Sequence, residues 1–203
     1  MAEIRTLARK PSILPGSPPD GPSPPAAILR LGASRLAAAG LADPARWLLV
    51  AVSRQSLHLI EQGRPVRSWQ VSTAAAGIDN RDGSGGTPPG VHRIARRIGS
   101  GQPLGAVFVS REPTGEIWTG PGSLPGTVNQ DLILTRILTL EGLEDGINRG
   151  PGVDSHARYI YLHGTNQEDR LGEAVSHGCI RLANRAMLEV FDLVEEGDPV
   201  VIV

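Results

Sequence analysis

Glycine and proline interrupt this chain so often that a sheet-based fold is favoured over a helical one. There are 25 glycines and 17 prolines among 203 residues, and aromatic residues make up only 3%. Glycine weakens helix interiors and proline breaks them, so the balance points to short strands joined by many turns. The length suffices for one well-buried domain with an appendage, or for two small domains. Pro11, Pro15, Pro18, Pro19, Pro22, Pro24 and Pro25 crowd into one segment with Gly and Ser. Residues 1–45 therefore read as a Pro/Ala-rich, flexible N-terminal segment. Within it, Ala26 to Leu41 reads as a short Ala-rich helix broken at Gly32 and Gly40. No internal repeat is visible.

The folded domain is expected to begin near Arg46. Trp47 to Val52 is a continuous apolar run that fits a buried strand. Leu57 to Ile60 and Val66 to Val71 flank a hairpin turn at Glu61 to Arg64. Further strands are expected at Val91 to Ile94, Ala106 to Val109, Leu132 to Leu134 and Tyr159 to Leu162. One helix is well marked: Asn184 suits its N-cap, and Met187, Leu188, Phe191 and Val194 share a face. Gly197 suits its C-terminal stop, and Val200 to Val203 reads as a closing strand. The segments Asp79 to Gly86 and Glu112 to Gly126 are turn-rich, open to a cleft-lining, lid or merely decorative role.

A formal net charge of -1 gives no basic field for nucleic acid, so none is expected as a partner. No stretch approaches the roughly 20 apolar residues of a membrane span. Three basic residues precede Lys10 or include it, but prolines follow where the apolar core of a signal peptide belongs, so no cleavable export signal is expected.

The chain has one cysteine, Cys179, in the run Ser176-His177-Gly178-Cys179-Ile180-Arg181. Without a partner it forms no disulfide within the chain. A reactive thiol needs a base, surroundings that favour thiolate, and donors for an oxyanion. Gly178 allows a tight turn that aims successive N–H groups into one nest, favouring thiolate. His163 ends a strand sixteen residues earlier (179 against 163), and the Asn166 to Gly172 loop lets it fold back beside the thiol. A buried inert cysteine is the plainer alternative, but polar neighbours surround this one. Zinc on Cys179, His163 and His177 is weaker, because the spacing fits no common zinc pattern. His58, His92 and His156 read as surface or structural residues.

The run His163-Gly164-Thr165 followed by Ser176-His177-Gly178-Cys179-Ile180-Arg181-Leu182 resembles the signature of the L,D-transpeptidase (YkuD-type) family. Leu57 to Ile60 with Gly63, Val71-Ser72-Thr73, the turn Gly86-Thr87-Pro88-Pro89-Gly90 and the strand Val200 to Val203 extend that resemblance over about residues 46–203. It implies a mainly β, two-sheet sandwich-like YkuD fold of mixed strands, with one main helix packed on it and long loops around the active site. Papain-like proteases place Cys before His, and sortases hold their His much farther upstream, so neither resemblance fits.

The resemblance further implies roles. Cys179 would be the nucleophile, His163 the base and later the acid, and the Gly164 carbonyl the group that orients the imidazole. N–H groups of His177, Gly178 and Cys179 would form the oxyanion hole. Arg181, Ser176 and Thr165 are candidates for substrate contact. Arg181 could equally form a buried salt bridge, Ser176 could hydrogen-bond within its loop, and the His177 ring could tune the thiol or serve structure. The implied substrate is the peptidoglycan stem tetrapeptide, typically with meso-diaminopimelate third, and a carbapenem is an expected covalent inhibitor. No metal or organic cofactor is implied. An amine acceptor gives L,D-transpeptidation; water gives an L,D-carboxypeptidase; a non-catalytic peptidoglycan-binding domain is the remote third reading. A bacterial cell-envelope location is implied, with the cytoplasm as the alternative if export is lacking.

Overall fold

The structure, a computed structural model, describes residues 23–127 and 130–203. The Pro-rich run up to residue 22 therefore lies outside the described residues. The order of elements is α1 (Ala26–Ala38), β1 (Arg46–Ala51), β2 (Ser56–Glu61), β3 (Arg64–Ser72), β4 (Gly90–Ile98), β5 (Ala106–Val109), β6 (Glu112–Ile117), β7 (Ile133–Gly142), β8 (Tyr161–Gly164), β9 (Ile180–Leu182), α2 (Asn184–Leu193) and β10 (Pro199–Ile202). The fold is mainly β, as expected.

The strands form one hydrogen-bonded network in the order β4-β10-β1-β2-β3-β9-β8-β7-β5-β6. A further pairing of β4 with β7 closes the first eight into a ring. Closure removes most free edges. The β5–β6 hairpin hangs from β7 outside that ring, and all six residues of β6 are exposed.

β1 shows why its sequence is apolar without a break. Leu48 and Val50 enter the core that α2 covers, with Val71, Leu138, Leu162, Ile180, Leu182, Met187 and Phe191. Trp47 and Leu49 point the other way, against Leu36 of α1. Side chains alternate across a strand, so one buried on both faces has no polar positions left. The Ala-rich stretch expected within a flexible segment is thus, from Ala26 to Ala38, a helix packed on the sheet. It also runs through Gly32 instead of breaking there. A Cβ at Gly32 would stand 2.9 Å from the Trp47 ring, so the glycine lets helix and strand approach closely.

The hairpin between β2 and β3 turns at Gln62 and Gly63, with φ of 49° and 74°. Such a two-residue turn matches the twist of its strands. Helix α2 starts where expected but is capped differently. Ala183 is the N-cap, and Glu168 Oε1 accepts the Asn184 N–H at 2.7 Å. The Asn184 side chain instead ties Thr165 and Thr135, its Nδ2 donating to the Thr165 carbonyl at 2.8 Å. The helix ends at Leu193, so Gly197 belongs to the turn into β10.

Candidate active site

β8 and β9 run parallel with His163 opposite Arg181. Residues two apart on a strand share a face, so Cys179 projects on the side of His163 and Tyr161. The alternate residues Leu162, Ile180 and Leu182 enter the core instead. Cys179 packs beside Ala106, Phe108, Ile137 and Tyr161. Two backbone groups touch its sulfur. The thiol donates to the Tyr159 carbonyl at 3.3 Å, and the Tyr161 N–H donates to the sulfur.

Burial pushes the Cys179 thiol up to about 11. Asp131 adds to the rise, while the Tyr161 N–H, Arg181 and Arg158 oppose it. The expected surroundings that favour thiolate are therefore not what the fold supplies at rest. Desolvation outweighs the nest, and the sulfur is protonated at neutral pH. Burial also lowers the His163 pKa, against the Gly164 hydrogen bond and Asp131, with Arg181 lowering it further. The resting pair is a thiol and a neutral imidazole.

His163 Nδ1 lies 2.8 Å from the Gly164 carbonyl oxygen. A carbonyl cannot donate, so Nδ1 carries the proton and Nε2 keeps its lone pair. Gly164 sits where a Cβ would strike Asn184 Oδ1 and the Leu134 carbonyl.

The loop before the thiol is fixed from several sides. Gly178 has φ of 131°, and a Cβ there would stand 3.0 Å from Ile160 Cδ1. Only glycine enters that conformation without strain. Its N–H donates to Ser176 Oγ at 3.2 Å, and its carbonyl accepts Thr87 Oγ1 at 3.0 Å. Of the three N–H groups expected to form the oxyanion hole, that of Gly178 is thus engaged within the loop. Thr87 Oγ1 also accepts the Ala74 N–H at 3.0 Å. The Gly86 to Gly90 turn therefore clamps the loop that precedes Cys179.

The three residues expected at substrate are all buried. Ser176 Oγ donates to the Cys179 carbonyl at 2.6 Å. Thr165 Oγ1 accepts the Gln167 N–H at 3.1 Å. Arg181 is 1% exposed and pairs with Asp131 at 3.1 Å, Gln167 Oε1 at 2.8 Å and the Val175 carbonyl at 2.5 Å. This burial favours the loop-holding alternative for Arg181, and Ser176 likewise serves its own loop. The His177 side chain is 89% exposed, its Nδ1 3.9 Å from Asp131 Oδ2. Among the described residues, no three His, Cys, Asp or Glu side chains converge to hold a metal. His58 and His92 are buried among serine hydroxyls, at 2.7 Å from Ser68 Oγ and 2.9 Å from Ser155 Oγ respectively.

Several contributors had no sequence signal of their own. Asp131, two residues ahead of β7, faces both members of the pair electrostatically. Arg158 donates to the Gly86 carbonyl at 2.8 Å and holds the Asp79 to Gly86 segment near the thiol. Arg111, in the β5–β6 turn, donates to Tyr161 Oη at 2.6 Å.

A solved L,D-transpeptidase from Xylanimonas cellulosilytica has a similar fold, at TM-score 0.50 and 18% identity, covering 80% of this chain and 62% of that one. L,D-transpeptidase 3 from Mycobacterium tuberculosis, solved with a faropenem-derived adduct, aligns at TM-score 0.48 and 16% identity over 78% of this chain and 60% of that one. A YkuD-named protein of Bacillus licheniformis is 50% identical over 36 residues, 18% of this chain and 22% of that protein. The chain thus spans less than two thirds of the length of each relative. The family model described as the L,D-transpeptidase catalytic domain, YkuD, matches residues 45–202, from the residue before β1 to the end of β10. By that match, which runs through the closed ring and every residue of the His163–Cys179 site, the chain belongs to the YkuD family of L,D-transpeptidase catalytic domains.

Proposed function

We propose that the protein is a cysteine acyltransferase acting on peptidoglycan stem tetrapeptides, with Cys179 as nucleophile and His163 as base. The observation that carries this reading is the fixed tautomer of His163. Its Nδ1–H is committed to Gly164, and Nε2 is left as an acceptor on the face it shares with Cys179. The resting S–H points to Tyr159, so it must turn about the Cβ–Sγ bond to hand its proton to Nε2. Proton removal then accompanies attack rather than preceding it, as a thiol pushed up to about 11 requires.

The sulfur attacks the carbonyl carbon of the third residue, and its π electrons move to oxygen. N–H groups of His177 and Cys179 stabilise that oxyanion. Collapse breaks the bond to D-alanine, whose amine takes the proton held on Nε2, leaving a thioester on Cys179. An amine acceptor then attacks, gives a proton to His163 and restores the thiol. Transpeptidation is the reading that family membership supports best.

Incubation with a disaccharide tetrapeptide, followed by mass, tests the proposal. Loss of D-alanine with a dimer joined between third-position residues is expected. Loss of D-alanine without a dimer would identify water as the acceptor, making the protein an L,D-carboxypeptidase. No turnover and no thioester would refute both readings and leave peptidoglycan binding alone. Cys179→Ala is expected to abolish acylation in a folded protein. A carbapenem is expected to add covalently to Cys179 in the wild type only.

A further inference from the structure

The two-residue turn between β5 and β6 carries Ser110 and Arg111, with φ of 51° and 72°. Asn and Gly suit such a turn, and a long side chain in this conformation calls for a compensating role. The Arg111 guanidinium lies 4.8 Å from the Tyr159 ring centroid and 5.3 Å from that of Tyr161. The two rings meet edge to face at 6.4 Å. Nε donates to Tyr161 Oη at 2.6 Å, and one terminal nitrogen donates to the His156 carbonyl at 3.1 Å. The other terminal nitrogen stands 3.4 Å from His156 Nε2. Among the described residues, no carboxylate pairs with Arg111, in contrast to Arg181 with Asp131.

Tyr159 and Tyr161 are also the residues whose backbone groups touch the Cys179 sulfur. Arg111 therefore sits on the outer, side-chain ends of the two tyrosines whose backbone groups hold the sulfur, while the charges that act on the thiol itself are Asp131, Arg181 and Arg158. Arg111 is half-buried and Tyr159 is 59% exposed, so the cluster opens to solvent.

We propose that Arg111 is an anion anchor of the acyl-donor subsite, pairing with a carboxylate next to the bond that Cys179 cleaves. Each terminal nitrogen carries two N–H bonds and commits one to His156, which leaves one on each for a carboxylate, and two aromatic faces hold the guanidinium in place. The identity of the substrate rests on the peptide-acyl reading above; the anion site does not. The carboxylate comes either from the free centre of the third residue or from the terminal D-alanine.

Cys179 is the only cysteine in the chain, so alkylation reports on this site alone. Iodoacetate and iodoacetamide both alkylate a thiolate with loss of iodide and differ in charge. In Arg111→Gln the ratio of the iodoacetate rate to the iodoacetamide rate is expected to fall on the order of fivefold, the loss of one screened charge contact. Arg111→Lys, which keeps the charge, is expected to retain most of the ratio. A purely structural Arg111 would change both rates together, and an unchanged ratio overturns the proposal. A fallen ratio in a protein that turns over no tetrapeptide keeps the anion site and removes the peptide reading. With tetrapeptide donors, amidation of the carboxyl that Arg111 holds makes wild type and Arg111→Gln react alike, which separates the two sources. A donor preference for free carboxylates that survives Arg111→Gln undiminished also overturns the proposal.

Discussion

The thiol of Cys179 donates to the backbone carbonyl of Tyr159 across 3.3 Å, and not to the imidazole of His163 on the same sheet face. Tyr159 reaches this position with φ of 57°, a conformation uncommon outside glycine, asparagine and aspartate. Burial around the sulfur, helped by Asp131 and opposed by the Tyr161 N–H, keeps it protonated.

That state predicts a distinctive pH profile for alkylation. With the thiol pushed up to about 11, iodoacetamide labelling of the folded protein should rise with pH through the range 8 to 10 without levelling. The unfolded chain should level near an ordinary thiol value of about 8.5. Mass-detected labelling across that range checks the contrast. A plateau near neutrality in the folded state would show a preformed thiolate and contradict the burial argument.

The clamp at Thr87 supplies a second prediction. Its hydroxyl accepts the Ala74 N–H and donates to the Gly178 carbonyl, each at 3.0 Å and fully buried. Thr87→Val leaves both backbone groups unpaired, at about 1–3 kcal/mol for a buried group. Thermal unfolding should show that loss, with slower acylation as the Gly178 peptide drifts. Thr87→Ser, keeping the hydroxyl, should recover most of both.

These residues also mark how far the sequence was readable. Cys179, His163, Gly164 and Gly178 announced themselves by type and spacing, and the Gly86 to Gly90 turn was visible as a motif. Their partners were less so. Asp131 is a lone acid between Gln130 and Leu132, and only folding brings it to Arg181. β7 was longer than its apolar pattern suggested because a register shift between Leu134 and Ile137, with Thr135 at φ of 72°, interrupts the alternation. β6 carries six exposed residues, Pro113 and Gly115 among them, so nothing apolar marks it. Helix α1 looked broken at Gly32 because the Trp47 ring that needs the glycine is fifteen residues away in sequence (47 against 32).

Asp131 should separate stability from reactivity. It pairs with buried Arg181 and raises both the Cys179 and His163 pKa. Asp131→Asn should cost roughly 1–3 kcal/mol, less than breaking a fully buried pair, because 27% of the Asp131 side chain remains exposed. The same change should lower the thiol pKa and speed alkylation at a fixed pH near 9. Denaturant unfolding and iodoacetamide kinetics on one preparation check the opposite signs. A slower thiol in the variant would remove Asp131 from the electrostatics of the site.

His92 sets an acid limit on the fold itself. It is fully buried on β4, with Nε2 2.9 Å from Ser155 Oγ and Nδ1 3.2 Å from the Gly90 carbonyl. Burial lowers its pKa from 6.5 to about 4, while the Gly90 bond partly opposes the shift. The unfolded chain therefore binds a proton at higher pH than the folded one, and stability depends on the neutral ring. That contribution is complete above pH 6.5 and is lost as pH falls toward 4, amounting to up to about 3 kcal/mol. Denaturant midpoints measured from pH 7 to pH 4 should fall across that window. His92→Gln, which has no proton to gain, should start lower at pH 7 and decline less steeply. Equal slopes for the two proteins would assign the acid sensitivity to other groups.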